Sequence, residues 1–152
     1  MAYTTTEGRQ ELLDLLGQAT EQLGRALGSL GEAYERLDEQ TADRLEEELF
    51  GPAQRAFGRL QREHAGFAGR HGLPGRSFAA ESAGLPSSGA SGFIEEAVFA
   101  LSESAASLVS LQEAEPWTEV ANDELRSGVA EVRRLVDPLP GQARGLVRTL
   151  GR

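Results

Sequence analysis

The chain has 152 residues, enough for one domain with a substantial hydrophobic core, and it contains neither cysteine nor lysine. These two absences exclude disulfides, thiolate metal ligands, thiol nucleophiles, Schiff-base lysines and the lysine of a P-loop. A net charge of -9 disfavours binding to nucleic acid or to an anionic membrane surface. The sequence has no apolar run of transmembrane length and no secretory signal, so we expect a cytoplasmic protein.

The first predicted helix covers about residues 6–39, where apolar residues recur at spacings of three and four. Such a row is typical of a helix that faces the core of a bundle. The row consists of Leu12, Leu16, Ala19, Leu23, Ala26, Leu30, Ala33 and Leu37, widened by Leu13, Leu27 and Tyr34. Beside it, Gly17, Gly24 and Gly31 recur every seven residues. They indicate either a groove where another helix packs closely or glycines tolerated at the surface.

A second helix is predicted from a cap at Thr41 to His71. Near Pro52 we expect a kink or a split, because proline has no backbone N–H to donate. The core row of this helix resumes as Ala53, Ala56, Phe57, Leu60, His64, Phe67 and His71. Gly72, with Leu73 and a proline after it, predicts a sharp end in which Gly72 adopts the left-handed conformation.

The segment 72–92 is rich in glycine, serine and proline and is predicted to be a flexible loop, with Phe78 pinned to the bundle. A third helix follows a cap at Ser91 and ends before Pro116. Its core row consists of Ile94, Val98, Leu101, Ala105, Leu108 and Gln112.

Asn122 or Asp123 is predicted to cap the fourth helix. Its core row keeps one phase across Pro138 and Pro140, which predicts a kink or a very short break there. The row consists of Leu125, Val129, Val132, Val136, Leu139, Ala143, Leu146 and Leu150.

Four long helices without a strand signal predict an all-α, single-domain four-helix bundle over residues 1–152. We expect an antiparallel up-down-up-down order, because connections between successive helices are usually short. The alternative is a ferritin-like crossover between the second and third helices, since the long connection could span a helix. The first order would place the acidic segments 32–48 and 113–124 at one end, and the crossover would separate them.

The two histidines, His64 and His71, lie on one helical face but about 10.5 Å apart along the axis. Chelation of one metal from a single helix needs a spacing of three or four residues. We therefore expect structural roles: His71 as a cation near the helix C-terminus, and His64 hydrogen-bonded at the core edge. A metal or ligand site would use His64, His71 and Glu63, in a pocket opened by Gly66 and Gly69.

The sequence shows no nucleophile elbow, no P-loop and no di-iron Glu-x-x-His signature. We therefore expect a non-enzymatic protein without a cofactor that acts through protein–protein contacts or as a scaffold, with a homodimer as one form. The expected contact surface comprises Gly17, Gly24, Gly31 and Trp117, although Trp117 could instead close the end of the core. The alternative is a small-ligand-binding or metal-binding bundle that uses His64 and its neighbours.

Overall fold

The computed structural model describes residues 5–82, 84–85, 87 and 89–150. The regular structure of these residues is helical. It comprises α1 (Thr5–Tyr34), α2 (Glu39–Leu45), a π-helical turn (Glu46–Phe50), α3 (Gly51–His71), α4 (Gly89–Glu113), α5 (Trp117–Val120), α6 (Asp123–Val136) and α7 (Leu139–Leu150). The prediction of an all-α chain is confirmed. In this part of the chain, no helix combines the length and the apolar character needed to cross a lipid bilayer.

The predicted core row of α1 is buried from Leu12 to Ala33. Tyr34 is exposed, however, because α1 ends there rather than near residue 39. The chain then turns, and the Asp38 carboxylate accepts the Thr41 backbone N–H at 3.4 Å. Asp38 is therefore the N-cap of α2, and the predicted cap at Thr41 is wrong. Because Asp38 caps α2, the chain leaves α1 before that residue, and α1 ends earlier than predicted.

The predicted irregularity near Pro52 takes the form of the π-helical turn, which connects α2 and α3 without an intervening loop. Pro52 occupies the first turn of α3, where its missing N–H costs least. Just before it, the N–H of Gly51 is bonded to the carbonyl of Glu46, one residue further back than in an α-helix. The wider turn therefore absorbs the disturbance that proline would cause in a regular helix.

The predicted end of α3 is confirmed. Gly72 has φ 65° and ψ 31° in the left-handed region, and its N–H is bonded to the Ala68 carbonyl. Leu73 donates its N–H to the same carbonyl at 2.9 Å and folds back against the core. These two bonds satisfy a helix-end carbonyl that would otherwise lack a partner.

Of the two predicted caps of α6, Asn122 is the one used: its Oδ1 accepts the Leu125 N–H at 2.8 Å. The short break predicted near Pro138 lies between α6 and α7. Val136 and Leu139, on either side of it, are both buried. The core row therefore keeps its phase across the break.

The most extensive helix contact is between α1 and α4, which run antiparallel. Near the start of α1, Gly8 lies against Pro116, which follows α4. Beyond the other end of α1, the guanidinium carbon of Arg36 lies 4.6 Å from the ring centroid of Phe93, in the first turns of α4. The beginning of each helix is thus beside the end of the other.

The ion pairs Arg59–Glu131 and Arg70–Glu124 show that α6 runs antiparallel to α3. α3 also runs antiparallel to α1, because Gly17, in the first half of α1, lies against His64 near the end of α3. α3 therefore lies between α1 and α6.

The connection from α3 to α4 runs along α1 rather than turning back. Arg76 pairs with Glu21 at 3.1 Å, and further along, the hydroxyls of Ser82 and Ser29 are 2.9 Å apart. As a result α3 and α4 point in the same direction. The expected up-down-up-down order does not fit these contacts, which are those of the crossover alternative. The glycines of α1 are the physical reason, because they leave room for a backbone along that helix.

The crossover also separates the two acidic segments. Residues 32–48 lie at the end of α1 and in α2, whereas residues 113–124 lie beside the start of α1, where Pro116 meets Gly8. The two segments therefore do not form the single acidic end that the up-down-up-down order predicts.

Candidate functional site

Residues 74–82, which we call the strap, lie over one face of α1 without helical or strand structure. A methyl group at Gly24 would lie 2.5 Å from the carbonyl oxygen of Ala79, and one at Gly28 would overlap the backbone of Glu81 and Ser82. Real side chains do not approach so closely, so glycine is required for the strap to lie there.

The glycine row of α1 is therefore covered by the strap together with side chains of α3. Gly17 lies beneath His64 and the guanidinium of Arg76, whereas Gly31 has no neighbour within 4 Å of a methyl position. Sequence reasoning missed Gly28, although it follows Gly24 by four residues and so lies on the same helical face.

His64 lies beneath the strap with only 2% of its surface exposed. Its ring centroid is 5.0 Å from that of Phe78, and the ring planes are 80° apart, an edge-to-face contact. Nδ1 is buried without a hydrogen-bond partner, so the expected hydrogen-bonded position at the core edge is corrected. Burial lowers the pKa of His64, Arg76 lowers it further, and Asp14 opposes the shift. The imidazole is therefore neutral at pH 7.

The strap is held by a small set of contacts. Arg76 lies 4.5 Å from the Phe78 ring centroid while it pairs with Glu21. Gln61 donates its side-chain amide to the Phe78 carbonyl at 3.5 Å. Phe78 is half-buried against the core, as predicted. Most of the other strap residues are exposed, so the attachments to the interior are the aromatic contact with His64 and the hydrogen bond between Ser82 and the buried Ser29.

An open groove of about 380 Å³ lies beside His64, bounded by α1 and the first strap residues. Its polar lining comes from Gln10, Asp14, Gln18, Glu21 and Arg76. Gly66 and Gly69 do not contribute to it, because both are exposed and face open space. The expected pocket therefore exists near His64, but α1 and the strap form it.

The structure does not bring Glu63 to His64. Glu63 is buried on a different face of α3, where it accepts the Arg59 Nε–H at 2.8 Å and lies against Gly128 of α6. This ion pair raises the pKa of Arg59. Within the described residues, no three histidine or carboxylate side chains are grouped so that they could hold a metal ion.

His71 and Trp117 occupy structural positions. The His71 ring centroid is 4.6 Å from that of Phe67, and burial lowers its pKa, with further lowering by Arg9 and Arg70. These effects, burial first and the two arginines second, disfavour the cation that the sequence predicts at this helix end. Trp117 is buried at the end of the core, and Arg126 donates to its carbonyl at 2.8 Å.

The sequence reasoning also missed Phe99, whose side chain is 60% exposed on α4. Val98 belongs to the predicted core row and Phe99 directly follows it, so the spacing predicts that the Phe99 side chain points outward. Glu95, one turn before Phe99, and Val98 line a groove of about 290 Å³ together with Arg144, Val147 and Arg148 of α7. No protein-family model, curated protein or solved structure matches the chain.

Proposed function

We propose that the protein is a crossover four-helix bundle that works without enzymatic activity, in the cytoplasm, through protein–protein contacts. The partner that its surface fits best is a second copy of the chain. One observation carries this proposal: the exposed ring of Phe99 beside the groove between α4 and α7.

An exposed phenylalanine is a source of binding energy, because burying its side chain is worth about 1.5–3 kcal/mol. A single exposed apolar residue is common on soluble proteins. Phe99, however, directly follows Val98, which lines the groove together with Val147 of α7. An exposed aromatic residue beside a groove that is partly apolar is a common arrangement at protein interfaces.

The charges around this groove favour a second copy over an unrelated partner. Glu95 on α4 faces the groove from one side, and Arg144 and Arg148 on α7 from the other. In a two-fold symmetric dimer each copy presents the same surface, so each glutamate can meet an arginine of the other copy. A surface that carries both signs is therefore complementary to itself.

Sedimentation velocity over a wide range of protein concentration tests the proposal. The wild-type chain should shift from monomer to dimer as concentration rises, and Phe99→Ser should remain monomeric. Leu85→Ser is the matched control, because Leu85 is 68% exposed and lies outside this surface. A wild-type chain that stays monomeric at high concentration would refute the proposal, as would equal effects of the two substitutions.

A mixing experiment tests the charge pairing between copies. Glu95→Arg alone places arginine against Arg144, and Arg144→Glu alone places glutamate against Glu95, so each variant should dimerise poorly. An equal mixture of the two should dimerise like the wild-type chain, because every pair in the mixed dimer is again of opposite charge. If the mixture stays monomeric, the two residues do not meet across the interface.

A second candidate function is the binding of a small ligand or a metal at His64. The observation that favours it is the buried Nδ1 without a partner beside an open groove. Thermal unfolding with Zn²⁺, Ni²⁺ or Fe²⁺ tests the metal. Stabilisation that disappears in His64→Ala would support a metal site, and an unchanged melting temperature would remove it.

A further inference from the structure

The strap covers a side chain that can gain a proton near neutral pH. Histidine has an ordinary pKa of about 6.5, so small changes in its surroundings decide its charge. His64 is held by the fold of α3, while Phe78 lies against its ring from the strap. The position of the strap and the charge of His64 are therefore coupled by direct contact.

The charged groups around His64 can be assigned to their elements. The strap contributes Arg76, which lowers the pKa of His64, and α1 contributes Asp14, which raises it. Glu21 of α1 is paired with Arg76. On α3 itself, the neighbouring Glu63 is turned towards α6. Among the described residues, one carboxylate and one guanidinium therefore act on the imidazole in opposite senses, and Nδ1 has no hydrogen-bond acceptor that would stabilise an added proton.

We propose that protonation of His64 releases the strap from α1 while the helices remain folded. The strap would then act as a latch that closes above the ordinary pKa of histidine and opens below it. Its release would uncover Gly24, Gly28 and Ser29 of α1.

The strap is the element that moves because its attachments are weaker than those of any long helix. Neutral His64 tolerates burial and an edge-to-face contact with Phe78, but an imidazolium requires hydrogen-bond acceptors or water at both ring nitrogens. Nδ1 has no partner in the closed arrangement. Swinging Phe78 and Arg76 away admits water to the ring and removes the nearest positive charge. The other strap contacts are an exposed ion pair, which stabilises little, hydrogen bonds from Gln61 and between Ser82 and Ser29, and the packing of the strap backbone on Gly24 and Gly28.

Electron paramagnetic resonance of a nitroxide on Ala80→Cys measures this release directly. Ala80 is exposed, and the chain has no native cysteine, so the label is unique and leaves the interior unchanged. From about pH 7.5 to about pH 5, which spans the ordinary histidine pKa, the mobile fraction of the spectrum should rise several-fold. Circular dichroism should show unchanged helix content over the same range.

Two histidine variants locate the switch. His64→Phe cannot gain a proton, so the label should stay immobile at both pH values. His71→Gln is the matched control, because His71 also has a lowered pKa but does not contact the strap, and the release should persist. If His64→Phe does not fold, the His64 ring-proton titration by NMR should share its midpoint with the label mobility. Equal mobility at both pH values in the wild-type background, release in His64→Phe, or different midpoints would overturn the proposal.

Discussion

Substituting Gly24 by alanine tests how closely the strap lies against α1. The added methyl group would lie 2.5 Å from the Ala79 carbonyl oxygen and 3.2 Å from Cε1 of Phe57. The contact with Ala79 involves backbone, which cannot rotate away as a long side chain would. Either the strap or α1 must therefore move in Gly24→Ala.

Two opposing effects set the magnitude. Alanine is better than glycine inside a helix by about 1 kcal/mol. Overpacking a filled site by one methyl group costs about 1–3 kcal/mol. We therefore expect Gly24→Ala to lower the free energy of unfolding by about 1 kcal/mol. Gly31→Ala is the matched control in the same helix, because nothing lies within 4 Å of its methyl position. It should raise the free energy of unfolding by about 1 kcal/mol.

Urea denaturation followed by far-UV circular dichroism measures both changes. The two variants should differ by about 2 kcal/mol, or roughly 4–8 °C in melting temperature for a chain of this length. Gly24→Ala that stabilises as much as Gly31→Ala would show that the strap does not lie against α1 at this point, and the reasoning would be wrong.

Three further substitutions or conditions follow from the same contacts. The pKa values of His64 and His71 are lowered by folding, so the unfolded chain binds more protons than the folded one below about pH 6.5. Stability should therefore be constant above this pH and fall below it; a flat denaturation profile down to about pH 5 would contradict the assignment. Glu63→Gln should cost about 2 kcal/mol because Glu63 is buried and pairs with Arg59 of the same helix, whereas Glu131→Gln, which removes the exposed partner of that arginine, should cost less than about 1 kcal/mol; equal losses in denaturation would be inconsistent with the burial of Glu63. Asn122→Ala should cost about 1 kcal/mol by removing the α6 cap, and an unchanged denaturation midpoint would argue against that cap.

The core of the fold could be predicted from sequence because helical periodicity is a local signal. The spacing of leucine, alanine and valine places each long row on one helical face, and the rows from Leu12 to Ala33 and from Leu125 to Leu146 are buried as predicted. Turn chemistry was equally local, so Gly72 and Asn122 were recognised. The sequence prediction places the α2 cap at Thr41 rather than at Asp38, because both residue types can cap a helix and spacing alone does not distinguish them.

The helix directions could not be predicted in the same way, because periodicity does not state which helix another helix contacts. The glycine row of α1 did signal a close approach, but a strap and a helix both need small residues beneath them. Deciding between them requires knowing that Ala79 and Ser82 reach α1, which is a property of the crossover. His64 could be placed on the core face, while its neighbours Phe78 and Arg76 became known only from the path of the strap.

Two features of the molecule that the sequence analysis does not predict have a signal in the spacing of the residues. Phe99 falls outside the core row of α4, and its position along the helix predicts an outward side chain. Arg59 precedes Glu63 by four residues, the spacing of a helical ion pair. The burial of that pair against Gly128 depends on α6 and had no local signal. The metal hypothesis joined His64 and Glu63 because they are adjacent in sequence, but adjacent positions on a helix point about 100° apart and here face different helices.

The partnership of α1 with α4 also sets the order in which the chain can fold. The hydroxyl of Ser104 reaches the carbonyl of Ala19 across a separation of 85 residues. Such distant contacts slow folding, because a long loop must close before they form. During synthesis, the apolar face of α1 leaves the ribosome well before its main cover exists, and α2 and α3 bury only part of it. The bundle therefore becomes complete only late in translation, and the emerging amino-terminal half is the species most exposed to aggregation.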